Sequence, residues 1–166
     1  MAFSLTKEQI DIQKAAREFA EGEFRPIARE LDAKEMFDDR LWKKAANLGF
    51  LAVFVDERYG GLGLGYLEQS LIVEEFARVD LGIAHAIEST FFGSQLIQLA
   101  GTEKQQERYL PPICRGEMRM GVAITEPDAG SDVTSVSTAA TKENGEYVIN
   151  GNKMFITNAT LADFLI

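Results

Sequence analysis

The sequence predicts an α+β fold: a helical N-terminal domain over residues 1–117, then the first part of an antiparallel β domain over residues 118–166. Three observations predict it. Apolar residues recur with near-helical spacing from Ile10 to Leu99. After Arg119 the period falls to two, as at Val122 and Ile124. Asn144-Gly145 and Asn150-Gly151 are hairpin signals, because both residue types tolerate positive φ.

Thr6-Lys7-Glu8-Gln9 is a capping box that starts a helix, with Ile10, Ala16, Phe19 and Ala20 along one face. Pro26 kinks that helix or begins a new one. The next helix takes Asp38 or Asp39 as N-cap, carries Leu41, Trp42, Ala45 and Leu48, and ends at Gly49. Phe50 to Val55 is short and apolar, either a strand or a buried connector. Tyr59 to Gly65 (YGGLGLG) reads as a flexible joint; no Gly-Lys-Ser/Thr follows, so it is no phosphate-binding Walker loop. Tyr66 to Ala100 makes two helices, with Gly82 marking a break or a tight contact. Thr102-Glu103-Lys104-Gln105 opens a short charged helix that Pro111-Pro112 stops.

In the β part, Thr134 to Thr141 is rich in strand-forming Ser, Thr and Val. Tyr147-Val148-Ile149, Met154-Phe155-Ile156 and Ala162 to Ile166 are further strands. The sequence stops inside the last of these. An unfinished apolar edge predicts that the chain is part of a longer polypeptide.

A net charge of −9 argues against general nucleic-acid binding, which needs compensating Lys and Arg. Cys114 and His85 are the single cysteine and histidine, so neither an internal disulfide nor a structural zinc cluster can form. No stretch approaches the ~18 apolar residues of a membrane span, and the first residues lack a signal-peptide core. A reducing cytoplasm is the simplest home, a processed organellar protein the alternative.

Two stretches carry candidate chemistry. In ITEPDAGSD (Ile124 to Asp132), Pro127 sets φ, Gly130 lets a backbone approach a ligand, and Ser131 supplies a hydroxyl beside an amide. Such a turn can bind a phosphate oxygen, provided Asp132 faces away and caps the turn; an ordinary polar turn fits the same residues. In Phe155-Ile156-Thr157-Asn158, a ring, an apolar contact and a hydroxyl suit the edge of a flat heteroaromatic. The plainer reading makes Phe155 a core residue.

Together, ITEPDAGSD and NGNKMFITNA (Asn150 to Ala159) resemble the two flavin-contacting segments of the acyl-CoA dehydrogenases. LGFLAVFVDERYGGLG, IVEEFARVD and GTEKQQERYLPPICRGE are similar to the helical N-terminal domain of that family, so the resemblance runs from about Leu5 to Ile166. It implies FAD held between a middle β domain and a C-terminal helical bundle, with an acyl-CoA thioester against the ring. The bundle lies outside this sequence. Carried over, Val122, Ile124 and Thr125 meet the flavin's pyrimidine end. Gly130 and Ser131 meet the pyrophosphate, and Ser131 also the pantetheine arm. Phe155 and Ile156 pack at the ring, and Thr157 bonds near N5. Phe155 stands where the family often has Trp, so the indole N–H is lost. The family's carboxylate base comes from the C-terminal domain, so no catalytic residue is assigned here. The resemblance also implies fatty-acid metabolism, an electron-accepting flavoprotein partner and a homotetramer, with no role for nucleic acid or membrane.

In the family the acyl pocket is partly lined by the helix containing His85, Glu88 and Ser89. These lie about one turn apart, and Glu88 and Ser89 are expected to border the acyl group. An ordinary helical role for His85 is the plainer reading. Cys114 shows no activating environment. Arg115, Arg119, Glu74-Glu75, Glu143 and Glu146 read as solvated surface charges. Alternatives on the same fold are an acyl-CoA oxidase, a flavin monooxygenase, or a truncated non-catalytic chain serving as an interaction module.

Overall fold

The computed structural model describes residues 4–166. Helix α1 (Lys7–Phe19) begins at the expected capping box: the Thr6 hydroxyl accepts from the Gln9 amide, and the Gln9 side chain accepts from the Thr6 amide. It runs into a π-helical turn, Ala20–Phe24, then breaks at Pro26 and restarts as α2 (Ala28–Lys34). Proline has no N–H to continue the ladder. Helix α3 (Asp39–Asn47) is capped by the Asp38 side chain, which accepts from the Arg40 amide.

Phe19, Phe24, Phe50 and Phe76 form the centre of the first core, with ring centroids 5.0–5.6 Å apart and several pairs edge-to-face. That geometry suits the aromatic quadrupole. The 50–55 run is a buried connector of turns, with Phe50, Leu51, Ala52, Val53 and Val55 all buried. The glycine loop after it is no flexible joint. The Leu62, Gly63 and Leu64 amides donate to the Ala52, Val55 and Val53 carbonyls at 3.0, 2.9 and 2.8 Å. Gly61 sits so close that a Cβ there would stand 2.0 Å from the Val55 oxygen.

Helices α4 (Tyr66–Val79) and α5 (Leu81–Ala100) separate at Asp80, not at Gly82. Asp80 is extended and its Oδ1 accepts from the Ile83 amide at 2.8 Å, an N-cap that starts α5. Helix α6 (Glu103–Cys114) keeps Pro111 and Pro112 inside its last turn instead of stopping at them. Their carbonyls still accept from the Arg115 and Glu117 amides at 3.2 and 2.9 Å, so only the donor side of the ladder is lost. Ile97 of α5 and Leu110, Ile113 and Cys114 of α6 enclose a second core with Val55, Tyr59 and Met120. Burial pushes the Cys114 thiol up to about 11, which keeps it protonated.

Two surface assignments fail. Glu75 is buried, with Arg17 donating at 2.6 Å and Arg78 at 3.1 Å; a carboxylate on the inner face of α4 needs those cations. Arg119 is also buried, its guanidinium 4.2 Å from the Trp42 ring centroid and 2.9 Å from Asp39. The aromatic face replaces part of its hydration.

Strand β1 (Met120–Gly121) pairs in parallel with β4 (Phe164–Leu165), across the long connection 122–163. Strands β2 (Ala139–Glu143) and β3 (Glu146–Asn150) form the expected antiparallel hairpin, turning at Asn144 (φ 50°) and Gly145 (φ 89°). The fold is therefore the predicted helical domain followed by a short antiparallel sheet, with the parallel pair as an addition. Three strand expectations are corrected. Val133–Ser135 is a 3₁₀ turn capped by Asp132, so β2 starts at Ala139. Past β1 the pairing reaches only Ala123, whose amide donates to the Ile166 carbonyl at 2.7 Å, and Ile124 lies in no strand. Asn150-Gly151 makes no hairpin, and Met154-Phe155-Ile156 no strand, because the Met154 amide turns to the Thr125 carbonyl at 3.0 Å. Among the described residues no helix is long and apolar enough to cross a membrane.

Candidate flavin-facing site

Helix α5 passes over the start of the β part. His85, Ser89, Phe92 and Leu96 follow one another at helical spacing, so they share a face. Opposite them lie 122–125 and 155–157. Between the two is a cavity of about 420 Å³ lined by His85, Ser89, Phe92, Gln95, Leu96, Val122, Ile124, Thr125, Phe155, Ile156 and Thr157. That volume is within the range of small-molecule sites, ~300–1,000 Å³. Two stretches thirty residues apart in sequence thus meet in one place, with apolar residues and the hydroxyl-bearing Thr125, Thr157 and Ser89 among its lining.

Phe155 is not a core residue. The residue is 85% exposed, and its backbone is left-handed, φ 56°. Such a conformation in a bulky residue is uncommon and persists only where neighbours impose it. Here they are named. The Lys153 Nζ donates to the Ile124 carbonyl and to Glu126 Oε1, both at 2.8 Å. The Asn158 amide donates to the Ala86 carbonyl at 2.8 Å and to the Ser89 hydroxyl at 2.6 Å. The segment 153–158 is therefore fastened to ITEPDAGSD at one end and to α5 at the other.

Glu126 is 4% exposed and is the hub of the turn. Its Oε2 accepts from the Ser137 amide and hydroxyl at 2.7 Å, and its Oε1 from the Thr138 amide at 2.9 Å. Lys153 and these donors hold its carboxyl well below the usual carboxylate range. Asp132 faces away from the turn, accepting from the Thr134 amide and hydroxyl and from the Ser135 hydroxyl. Asp128 is exposed.

The remaining candidates separate. Gly130 and Ser131 are exposed on the turn and do not line the cavity. Ser89 lines it, but Glu88 does not. One residue along a helix rotates a side chain by about 100°, which points Glu88 into the α4–α5 interface. There it is 7% exposed; the Gln69 amide donates to Oε2, and Oε1 has no partner among the described residues. Burial pushes its carboxyl up to about 8.

Sequence reasoning missed Glu126, Lys153 and Asn158 as structural residues. All three lie in stretches already singled out, but an ion pair 27 positions apart leaves no periodic trace. Asn158 had a weak signal, since Asn is among the few residues that tolerate the left-handed φ of 64° it adopts.

Comparison with known proteins identifies two matching family models. Residues 6–117 match the family model described as acyl-CoA dehydrogenase, N-terminal domain, and residues 121–166 the one described as acyl-CoA dehydrogenase, middle domain. Mitochondrial isovaleryl-CoA dehydrogenase of Pongo abelii is 39% identical over 166 residues, covering 98% of this chain and 39% of that protein. The structure of butyryl-CoA dehydrogenase from Megasphaera elsdenii superposes with a TM-score of 0.91 at 36% identity, covering 99% of this chain and 45% of that one. An acyl-CoA dehydrogenase from Bacillus anthracis, solved as its FAD complex, superposes at 0.90 with 38% identity over 98% of this chain and 28% of its own. The chain thus spans less than half the length of the relatives it matches.

Proposed function

The chain belongs to the acyl-CoA dehydrogenase family, and we propose that it contributes the flavin-facing wall of an FAD-dependent α,β-dehydrogenation of an acyl-CoA thioester. The observation that carries the reading is the convergence of Thr125 and Thr157 on one cavity. The donor set fits FAD. Apolar side chains (Val122, Ile124, Phe155, Ile156) suit the faces of a flat ring, and the Thr125 and Thr157 hydroxyls suit its polar edge. The amides of Thr125 and Thr157 donate to no backbone acceptor among the described residues, which keeps two more donors for a ligand.

When bound, FAD supplies the acceptor for the β-hydride, while the α-proton leaves to a carboxylate base. This chain's residues do the rest of the work assigned here. Thr125 and Thr157 orient the ring edge, and their dipoles favour the negative charge that builds up there. Phe155 and Ile156 exclude water from one side. Gly130 and Ser131 bind the pyrophosphate, which Asp132 permits by turning its charge toward Thr134 and Ser135. Ser89 borders the acyl group from α5; Glu88 acts only behind it. Residues 1–117 form the helical domain and 118–166 the start of the β domain. A flavoprotein electron acceptor and a homotetrameric assembly belong to the same reading.

The test is an absorption spectrum of the chain loaded with FAD, followed by anaerobic titration with acyl-CoA thioesters. Bound flavin bands that shift as a thioester binds are expected; bleaching requires the base, which none of these residues supplies. A chain that takes up no flavin would refute the reading.

A further inference from the structure

We propose that Glu126 and Lys153 are positioning residues for the flavin ring: a buried brace that sets the spacing of the two ring-facing segments without touching the ring. The inference rests on the FAD reading above and goes beyond it, since neither residue lines the cavity.

The two side chains are largely removed from water, 3% exposed for Glu126 and 24% for Lys153. A buried charge pair persists only when its remaining hydrogen-bonding capacity is filled. It is filled here. Glu126 takes the Ser137 and Thr138 amides and the Ser137 hydroxyl as well as Lys153. The lysine divides its donors between Glu126 and the Ile124 carbonyl.

That last bond has a geometric consequence. A trans peptide places its N–H opposite its C=O. Lys153 holds the Ile124 carbonyl, so the N–H of the same peptide, that of Thr125, points away from the lysine. The Met154 amide holds the next carbonyl, that of Thr125. Two successive peptides before and after Thr125 are thus fixed by Lys153 and Met154, adjacent residues of the other segment. Loss of the lysine frees the Ile124 peptide to rotate and leaves Glu126 buried without its cation. A preorganised donor then becomes a disordered one, and ligand binding must supply the ordering.

The experiment measures FAD affinity of the full chain by flavin-fluorescence quenching, for wild type, Lys153→Met, Lys153→Arg and the exposed-strand control Lys142→Met. The Met variant is expected to bind on the order of tenfold more weakly, the Arg variant to recover part of that loss, and the control to match wild type. In parallel, amide exchange of wild type is followed with and without FAD. The Ser137 and Thr138 amides, which bond to Glu126 outside the cavity, are expected to exchange more slowly once FAD is bound. A folded Lys153→Met variant with wild-type affinity would overturn the brace. So would unchanged exchange at Ser137 and Thr138 under saturating FAD, a result that holds even if the variants do not fold. Wild type that fails to bind FAD would overturn the functional reading and the brace with it.

Discussion

Asn158 ties the cavity floor to α5 through Ser89, its side-chain amide 2.6 Å from the Ser89 hydroxyl. The same amide donates to the Ala86 carbonyl at 2.8 Å, and Ser89 itself donates to that carbonyl at 3.1 Å. A single side chain therefore fixes where the segment containing Thr157 meets the helical layer.

Asn158→Ala removes both bonds and places a Cβ residue without Asn's local hydrogen bonding at φ 64°. The expected loss is about 2–3 kcal/mol, from the bonds and from the left-handed backbone. Asn158→Gly loses the bonds but relieves the backbone, so it should recover about 1 kcal/mol of that loss. Urea unfolding of the two variants checks the split; equal losses would assign everything to the hydrogen bonds.

Glu88 governs a pH dependence of unusual sign. Its folded pKa is raised from 4.5 to about 8, because burial disfavours the anion. Between those values the unfolded chain has lost a proton that the folded chain keeps, so this group's contribution is fully present below pH 4.5 and is lost as pH rises through about 8. Glu126 acts the other way: its lowered pKa contributes stability above its unfolded pKa that is lost on acidification. Glu88→Gln should therefore leave stability near pH 4.5 almost unchanged and raise it at about pH 9, by up to about 5 kcal/mol. Thermal melts across that range test it. A variant whose stability parallels wild type at every pH would show that Glu88 titrates normally.

Gly61 and Gly22 make opposite predictions. A Cβ at Gly61 meets the Val55 carbonyl oxygen at 2.0 Å, so Gly61→Ala must move the strap off the buried connector and should cost about 1–3 kcal/mol. Nothing lies within 4 Å of a Cβ at Gly22, in the π-helical turn, so Gly22→Ala should stabilise by about 0.5–1 kcal/mol. Denaturation midpoints of both variants measure the contrast.

The helices were legible because their signals are local. Thr6 with Gln9, Asp38, and Thr102 with Gln105 cap where the sequence places them. The Asn144-Gly145 hairpin was legible for the same reason. Pro111-Pro112 misled because burial of Leu110, Ile113 and Cys114 outweighs two missing donors. The strand expected at Met154 to Ile156 failed because long-range bonds to Ile124, Thr125 and Glu126 dictate its backbone. The same partners account for the hidden part of the site. Glu126, Glu75 and Arg119 look like surface charges until their partners, distant in sequence, are brought beside them.

The central claim is that the 122–125 and 155–157 segments together receive the isoalloxazine. A crystal structure of the chain grown with FAD tests it most directly. The account predicts the ring in the cavity beside α5, with Thr125 and Thr157 both within hydrogen-bonding distance of it. A ring bound elsewhere, or touching only one of the two threonines, would contradict it.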